Sequence, residues 1–205
     1  MDRAIHSVTA AAGPDRAPPQ DDRGLAEAIR RGRPRAFDRF FDRYGGPLLG
    51  YLTGMVGDRT GAEDLLQETM IRVWRKIDDY RELGAFRSWV FRIATNLALT
   101  ELRRSRYKQV GVEEIGEMAD PEGLNPEEEW EKKERETRLK RALRALPDDH
   151  RAVMLLRVRN GMSIREIAET LSLPEGTVKS RIHYAVRRLR SITGGEEETD
   201  RGTAL

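Results

Sequence analysis

Cysteine is absent from this 205-residue chain, which removes a disulfide framework and any thiolate metal site from consideration. Histidine is scarce: His6, His150 and His183 are scattered, without the spacing of metal ligands. Aromatic residues make up 6% of the chain and hydrophobic residues 38%, which favours small helical domains with thin cores over one deep core. No apolar run approaches the roughly 20 residues that a membrane span needs. No basic-then-apolar start marks a secretory signal, so a cytoplasmic protein without membrane insertion is expected. No stretch shows the strict alternation or β-branched density of a strand, and the expected fold class is all-α.

Charge is abundant, and its distribution says more than the net value of +2. Residues 25–107 sum to +5, residues 108–138 to −6 and residues 139–192 to +7, with short near-neutral or acidic ends. Two basic blocks flanking an acidic one suggest two polyanion-binding modules on a tether. Residues 1–24, interrupted by Pro14, Pro18 and Pro19, are expected to be a disordered tail. Residues 25–107 form a first helical module, 108–138 a flexible acidic linker, 139–192 a second helical module and 193–205 a disordered acidic tail. Within the linker, Trp130 is the one large apolar residue, the start of the next helix or an anchor.

In the first module, Leu25 and Ile29 open a helical period that pauses at Gly32 and Pro34. It resumes with Phe37, Phe40, Phe41, Tyr44, Leu48, Leu52, Met55 and Val56. Thr60-Gly61-Ala62-Glu63 has the spacing of a capping box, in which two side chains satisfy free backbone N–H groups. The helix behind it is expected to bury Ala62, Leu65, Leu66, Val73, Trp74 and Ile77. Opposite lie Asp64, Gln67, Glu68, Ile71, Arg72 and Arg75, a charged face that by default is simply solvated. A further helix from Ala85 is expected to bury Phe86, Trp89, Val90, Ile93, Ala94 and Leu97. Its other face offers Arg87, Ser88, Phe91, Arg92, Thr95, Asn96, Leu99, Arg103 and Arg104; Tyr80 and Phe91 fit either surface or core. Arginines attract phosphates, and an amide such as Asn96 can bond a base edge.

The second module runs Leu139, Leu143, Leu146, stops at Pro147 and restarts behind Asp148 as an N-cap, with Val153 to Leu156 and Val158 following. Ser163 and Glu166 form a second capping box before Ile164, Ile167, Ala168 and Leu171. The turn Ser172-Leu173-Pro174 then leads to a last helix over about 175–192. Two short helices joined by so tight a turn make a helix-turn-helix, whose second helix enters the DNA major groove. Val178, Ile182 and Leu189 face the core. Lys179, Ser180, His183 and Tyr184 are the base-reading candidates, while Arg181, Arg187, Arg188 and Arg190 hold phosphates and Thr177 stands at the helix start. A solvated basic helix in a trihelical bundle is the plainer alternative.

The stretches Leu146-Pro147-Asp148-Asp149-His150-Arg151, Gly161-Met162-Ser163-Ile164-Arg165-Glu166-Ile167-Ala168 and Gly176-Thr177-Val178-Lys179-Ser180-Arg181 resemble region four of bacterial sigma factors of the extracytoplasmic-function group. Ala62-Glu63-Asp64-Leu65-Leu66-Gln67-Glu68-Thr69 and the run Phe86 to Asn96 are similar to region two of the same group. Together the resemblances cover roughly residues 36–106 and 139–190, in the right order.

The resemblance implies a promoter-specificity subunit without catalytic activity. Asp64, Gln67, Glu68 and Arg72 would grip core RNA polymerase at a coiled coil of its beta-prime subunit, with beta as a further partner. Arg87, Arg92, Thr95, Asn96 and Arg103 would read the minus-ten element of promoter DNA. Thr177, Lys179, Ser180, Arg181, His183, Tyr184, Arg187 and Arg188 would read the minus-thirty-five element. It also implies an anti-sigma protein as regulator. A dimeric helix-turn-helix repressor or activator is the rival reading, and it leaves the first basic block unexplained. A nuclease would need gathered carboxylates. Asp78-Asp79 and Asp148-Asp149 stand alone at helix ends, so no catalytic residue, metal or cofactor is assigned.

Overall fold

In the computed structural model, which describes residues 22–81, 85–108 and 137–193, every regular element is helical. The acidic linker with Trp130, most of both tails and the loop residues 82–84 lie outside the described residues. Helix α1 (Asp22–Arg30) starts three residues before the first module was expected to. It buries Leu25, Ala26, Ala28 and Ile29, and Arg30 donates to the Tyr80 carbonyl at 2.6 Å, tying the start of the module to its middle.

Helix α2 (Ala36–Val56) places Phe40, Tyr44, Leu48, Leu52 and Met55 at spacings of three and four on its buried side. Burying each such side chain stabilises the fold by about 1.5–3 kcal/mol. Phe41, expected on the same stripe, is 51% exposed, because it lies one residue, and so about 100°, beyond Phe40. The helix ends at Gly57, whose φ of 95° lets its N–H return to the Thr53 carbonyl. Gly50 and Gly54 stand inside this helix, each less favourable there than alanine by about 1 kcal/mol.

Helix α3 (Arg59–Lys76) is not capped by the Thr60 box. Asp58 is the N-cap, accepting from the Gly61 N–H at 2.6 Å, and Glu63 is taken by Arg59. Asp58, two residues earlier, has the extended backbone of an N-cap, so its carboxylate takes the free amide while Thr60 is already inside the helix. A one-turn 3-10 segment (Ile77–Asp79) follows, and helix α4 (Phe86–Lys108) completes the module. Phe40, Tyr44, Tyr80, Phe86 and Trp89 form a ring cluster with centroids 5.2–6.0 Å apart.

The second module begins with helix α5 (137–144) and helix α6 (Asp148–Met154), the latter extended by a π-turn (Leu155–Arg159). Leu139 and Val158, expected inside, are 50% and 73% exposed. Asp148 is the first helical residue rather than the cap. Pro147 occupies the cap position, and Asp148 binds Arg151 at 2.7 Å and pairs with Arg106 of α4. Helix α7 (Ile164–Leu171) carries the expected reciprocal capping box between Ser163 and Glu166. Its hydrogen bonds from Ser163 hold the Glu166 carboxyl below its ordinary pKa despite an opposing push from burial. Ser172 in the left-handed region (φ 54°) makes the turn into helix α8 (Glu175–Thr193).

The two modules are not separate bodies on a string. Leu155, Leu156, Met162, Ile167, Ala168 and Val178 join the same contiguous apolar core as α1 to α4, while Leu146, Met154 and Ala185 make a small second cluster.

Candidate nucleic-acid and polymerase surfaces

Helix α8 is held from below by Val178 and Ala185, both fully buried, so the 3.6-residue period turns Lys179, Ser180, His183, Arg187 and Arg188 outward. Thr177 is half-buried at the helix start. Ser180 Oγ donates to the Thr177 carbonyl at 2.9 Å, leaving its lone pairs outward as acceptors. Arg181 and Tyr184 are less free than the sequence suggests. Arg181 forms an ion pair with Asp149 at 3.1 Å, and the Tyr184 ring rests 4.6 Å from the His150 ring. Both partners come from the first turn of α6, which therefore sets the rotamers of two side chains on the recognition helix. Burial, reinforced by the Arg181 charge and opposed by Asp149, lowers the His150 pKa, keeping its ring neutral beside Tyr184.

On α4 the expected surface splits. Asn96 and Arg103 are exposed. Thr95 is not: it is 1% exposed, accepts from the Tyr51 hydroxyl at 2.8 Å and donates to the Phe91 carbonyl at 2.7 Å. Thr95 thus belongs to the stripe Phe91, Ala94, Ala98, and its assignment to DNA is corrected to a satisfied core hydroxyl. Phe91 is fully buried edge-on to Tyr51, and Tyr80 is buried too, which resolves both open aromatic positions as core. Burial raises the Tyr51 phenol pKa, so that group stays a neutral donor.

Ser88, expected on the free face, is 2% exposed and donates to the Glu166 carbonyl at 3.3 Å. Arg87 donates to the Asn160 carbonyl and lies 3.7 Å from the Glu166 carboxylate. Arg92 donates to the Glu169 carbonyl and, at 3.2 Å, to the Thr170 carbonyl. Two sequence-selected cations of α4 are therefore engaged by the second module.

On α3, Asp64, Gln67 and Arg72 are exposed and Glu68 half-buried, with a Glu68–Arg72 ion pair of 2.6 Å. Trp74, expected in the core, is 52% exposed beside Ile71 at 44%, its ring held edge-on by Phe37 at 5.5 Å. The signal was in the spacing: Leu66, Met70, Val73 and Ile77 make the buried stripe, and Trp74 sits one step beyond it. Among the described residues, no group of three or more His, Asp or Glu side chains is placed to hold a metal ion, and no helix is long and apolar enough to cross a membrane.

Along the chain, a helical module carrying charged faces on α3 and α4 is followed by a second module with a helix-turn-helix. Family models cover both modules: Sigma-70 region 2 matches residues 40–107 and Sigma-70, region 4 matches residues 136–189. RNA polymerase sigma-H factor of Pseudomonas aeruginosa is 33% identical over 174 residues, 81% of this chain and 90% of that one. ECF RNA polymerase sigma factor SigL of Mycobacterium tuberculosis is 36% identical over 151 residues, 73% of this chain and 84% of the relative. Among solved structures, CnrH in complex with the cytosolic domain of CnrY is 25% identical with a TM-score of 0.65, covering 87% of this chain and 100% of CnrH. The protein belongs to the extracytoplasmic-function family of sigma factors. It is a promoter-recognising subunit of RNA polymerase, and that membership displaces the dimeric-regulator reading.

Proposed function

We propose that this chain divides its work among three helices and acts by binding, without catalysing a reaction. Asp64, Gln67, Glu68 and Arg72 on α3 dock on the beta-prime subunit of core polymerase in the cytoplasm. Arg87, Arg92, Asn96 and Arg103 on α4 take the minus-ten element as single strand, the arginines meeting phosphates and the amide a base edge. Lys179, Ser180 and His183 on α8 read the minus-thirty-five duplex, with Arg187 and Arg188 on the backbone and Thr177 at the entering end. Arg181 and Tyr184 are placed by Asp149 and His150 for the same groove. The observation that carries this reading is α8 itself: a capped helix-turn-helix whose outward face is basic and unburied along its length.

CnrH was solved with the cytosolic domain of CnrY. A comparable anti-sigma protein is the regulator expected for this chain. Run-off transcription with purified core enzyme tests the whole proposal: the chain should direct initiation at a promoter that core alone ignores. A chain that binds duplex DNA as a dimer and never associates with core would overturn it.

A further inference from the structure

We propose that the minus-thirty-five duplex gains a contact outside the recognition helix. His150, on the first turn of α6, meets a phosphate of the duplex as an imidazolium, and binding therefore takes up a proton. The inference rests on the assignment of α8 to that duplex given above. Helix α6 packs on α8 through apolar groups at either end: Met154, with Leu146 just before the helix, joins Ala185 in one cluster. The polar first turn of α6 is thereby left beside the shoulder of α8. Tyr184 sits one residue, and so about 100°, from the buried Ala185, between the core side and the outward Ser180 and Arg187. It is 39% exposed and its ring lies 4.6 Å from the His150 ring, while Arg181 on the same shoulder reaches Asp149 at 3.1 Å. A strand that comes up to Tyr184 is therefore within one ring's width of His150.

The corner around His150 lacks an acceptor. His150 is half-buried, and its Nδ1 is buried without a hydrogen-bond partner among the described residues. The groups facing the ring are Arg181 and Tyr184 from α8 and Asp149 from α6, and the Asp149 carboxylate is engaged by Arg181. Burial and the Arg181 charge hold the ring neutral in the free chain. In that form it offers one N–H, and the ion pair beside it sums to zero charge, so the corner has little attraction for a phosphate. A duplex carries one negative charge per about 1.7 Å of its axis. Phosphates near Arg181 offset the charge that disfavours the imidazolium, and a phosphate oxygen is the acceptor that a second N–H needs. A hydrogen bond between charged partners is about twice as strong as a neutral one, which favours the imidazolium once the strand arrives.

The full chain and a random-sequence duplex test this in two measurements. The His150 ring signals are titrated with pH by NMR, with and without the duplex. Duplex affinity is read by fluorescence anisotropy at fixed salt, across the pH interval around the ordinary histidine pKa of about 6.5. The bound state holds more protons than the free state, so affinity should rise as pH falls. The rise should be on the order of tenfold for each pKa unit by which the duplex raises the ring. His150→Gln should lose this rise, and His183→Gln, which removes the imidazole of the outward face of α8, should keep it.

A His150→Gln chain with the original pH dependence, or a ring titration that the duplex leaves in place or moves down, overturns the contact. A rise lost in His183→Gln instead assigns the proton to α8 and overturns it too. The ring titration is read on the unsubstituted chain, so the test survives a substitution that disturbs α6. If Lys179→Ala and Arg187→Ala leave duplex binding unchanged, α8 is not on DNA and the functional reading fails. If those losses appear while pH has no effect, that reading stands and the proton-linked contact alone is lost.

Discussion

Helix α8 carries its cations outward from the module that supports it, whereas helix α4 hands two of its guanidiniums, Arg87 and Arg92, to carbonyls of the other module. Both are basic, amphipathic helices of similar length, so composition does not separate them. What separates them is the number of buried sides. Helix α8 has one apolar stripe, Val178 and Ala185 with Ile182 and Leu189 beside it, flanked by Arg181 and Tyr184 against α6. Its face with Lys179, Ser180, His183, Arg187 and Arg188 is exposed. Helix α4 buries Phe86, Val90, Ala94 and Leu97 on one side and Ser88, Phe91 and Thr95 on another, and its arginines stand at the edge of the second contact. At that edge the two guanidiniums reach carbonyls of the second module, among them those at the end of α7, where the helix terminus carries partial negative charge. Arg92 stays exposed to solvent there.

The largest test of this contrast is the pair Arg87→Ala and Arg92→Ala in holoenzyme. Each lost contact to phosphate or base is worth about 1–3 kcal/mol, so initiation should fall on the order of a hundredfold. Binding of the minus-thirty-five duplex should hold, and equal losses of both would erase the division of labour. Next in size is Lys179→Ala, which should cost about 1–3 kcal/mol at one promoter position and relax preference there. Arg187→Ala should weaken all duplexes alike and lower the slope of log affinity against log salt by about 1. A footprint or competition titration across salt concentrations separates the two behaviours.

The two N-caps come next. Asp58→Ala frees the start of α3 and Ser163→Ala the start of α7, each at about 1 kcal/mol in thermal unfolding. Because the modules share one core, both should shift a single transition rather than melt separate units. Two resolved transitions would contradict that shared core.

The smallest effect concerns pH. The His150 pKa is lowered from its ordinary 6.5, chiefly by burial. The native state then binds fewer protons than the unfolded chain, so stability holds above the ordinary value and is lost progressively as pH falls from there toward the lowered native value. His150→Leu should flatten the thermal midpoint over that interval. It should also leave Tyr184 packed on an apolar neighbour. Unchanged pH dependence would mean that the imidazole is already solvated.

Much of this was open to reading along the chain. Ser163 and Glu166 announced the helix-turn-helix because capping needs only residues three apart, and the structure forms that box. The buried stripes of α2, α3 and α8 followed a period that a single helix imposes on itself. Where the reading slipped, the cause was a step of one residue, as at Phe41 and Trp74, or a competing local partner, as when Asp58 displaced Thr60 as a cap. Thr95 was misplaced because polarity was read as exposure, although Tyr51 satisfies its hydroxyl inside the core.

By itself, then, the sequence determined the helices, the capping box of α7, the two basic modules and the family to which they belong, since each depends on neighbours within a few positions. Only the tertiary structure decided which basic face is free. The carbonyls of Asn160, Glu169 and Thr170 lie 73 to 78 residues from the arginines they engage, and backbone oxygens leave no signature in residue identity. Gly50 and Gly54 are the trace that remains, two missing side chains in a helix that only the docked module explains.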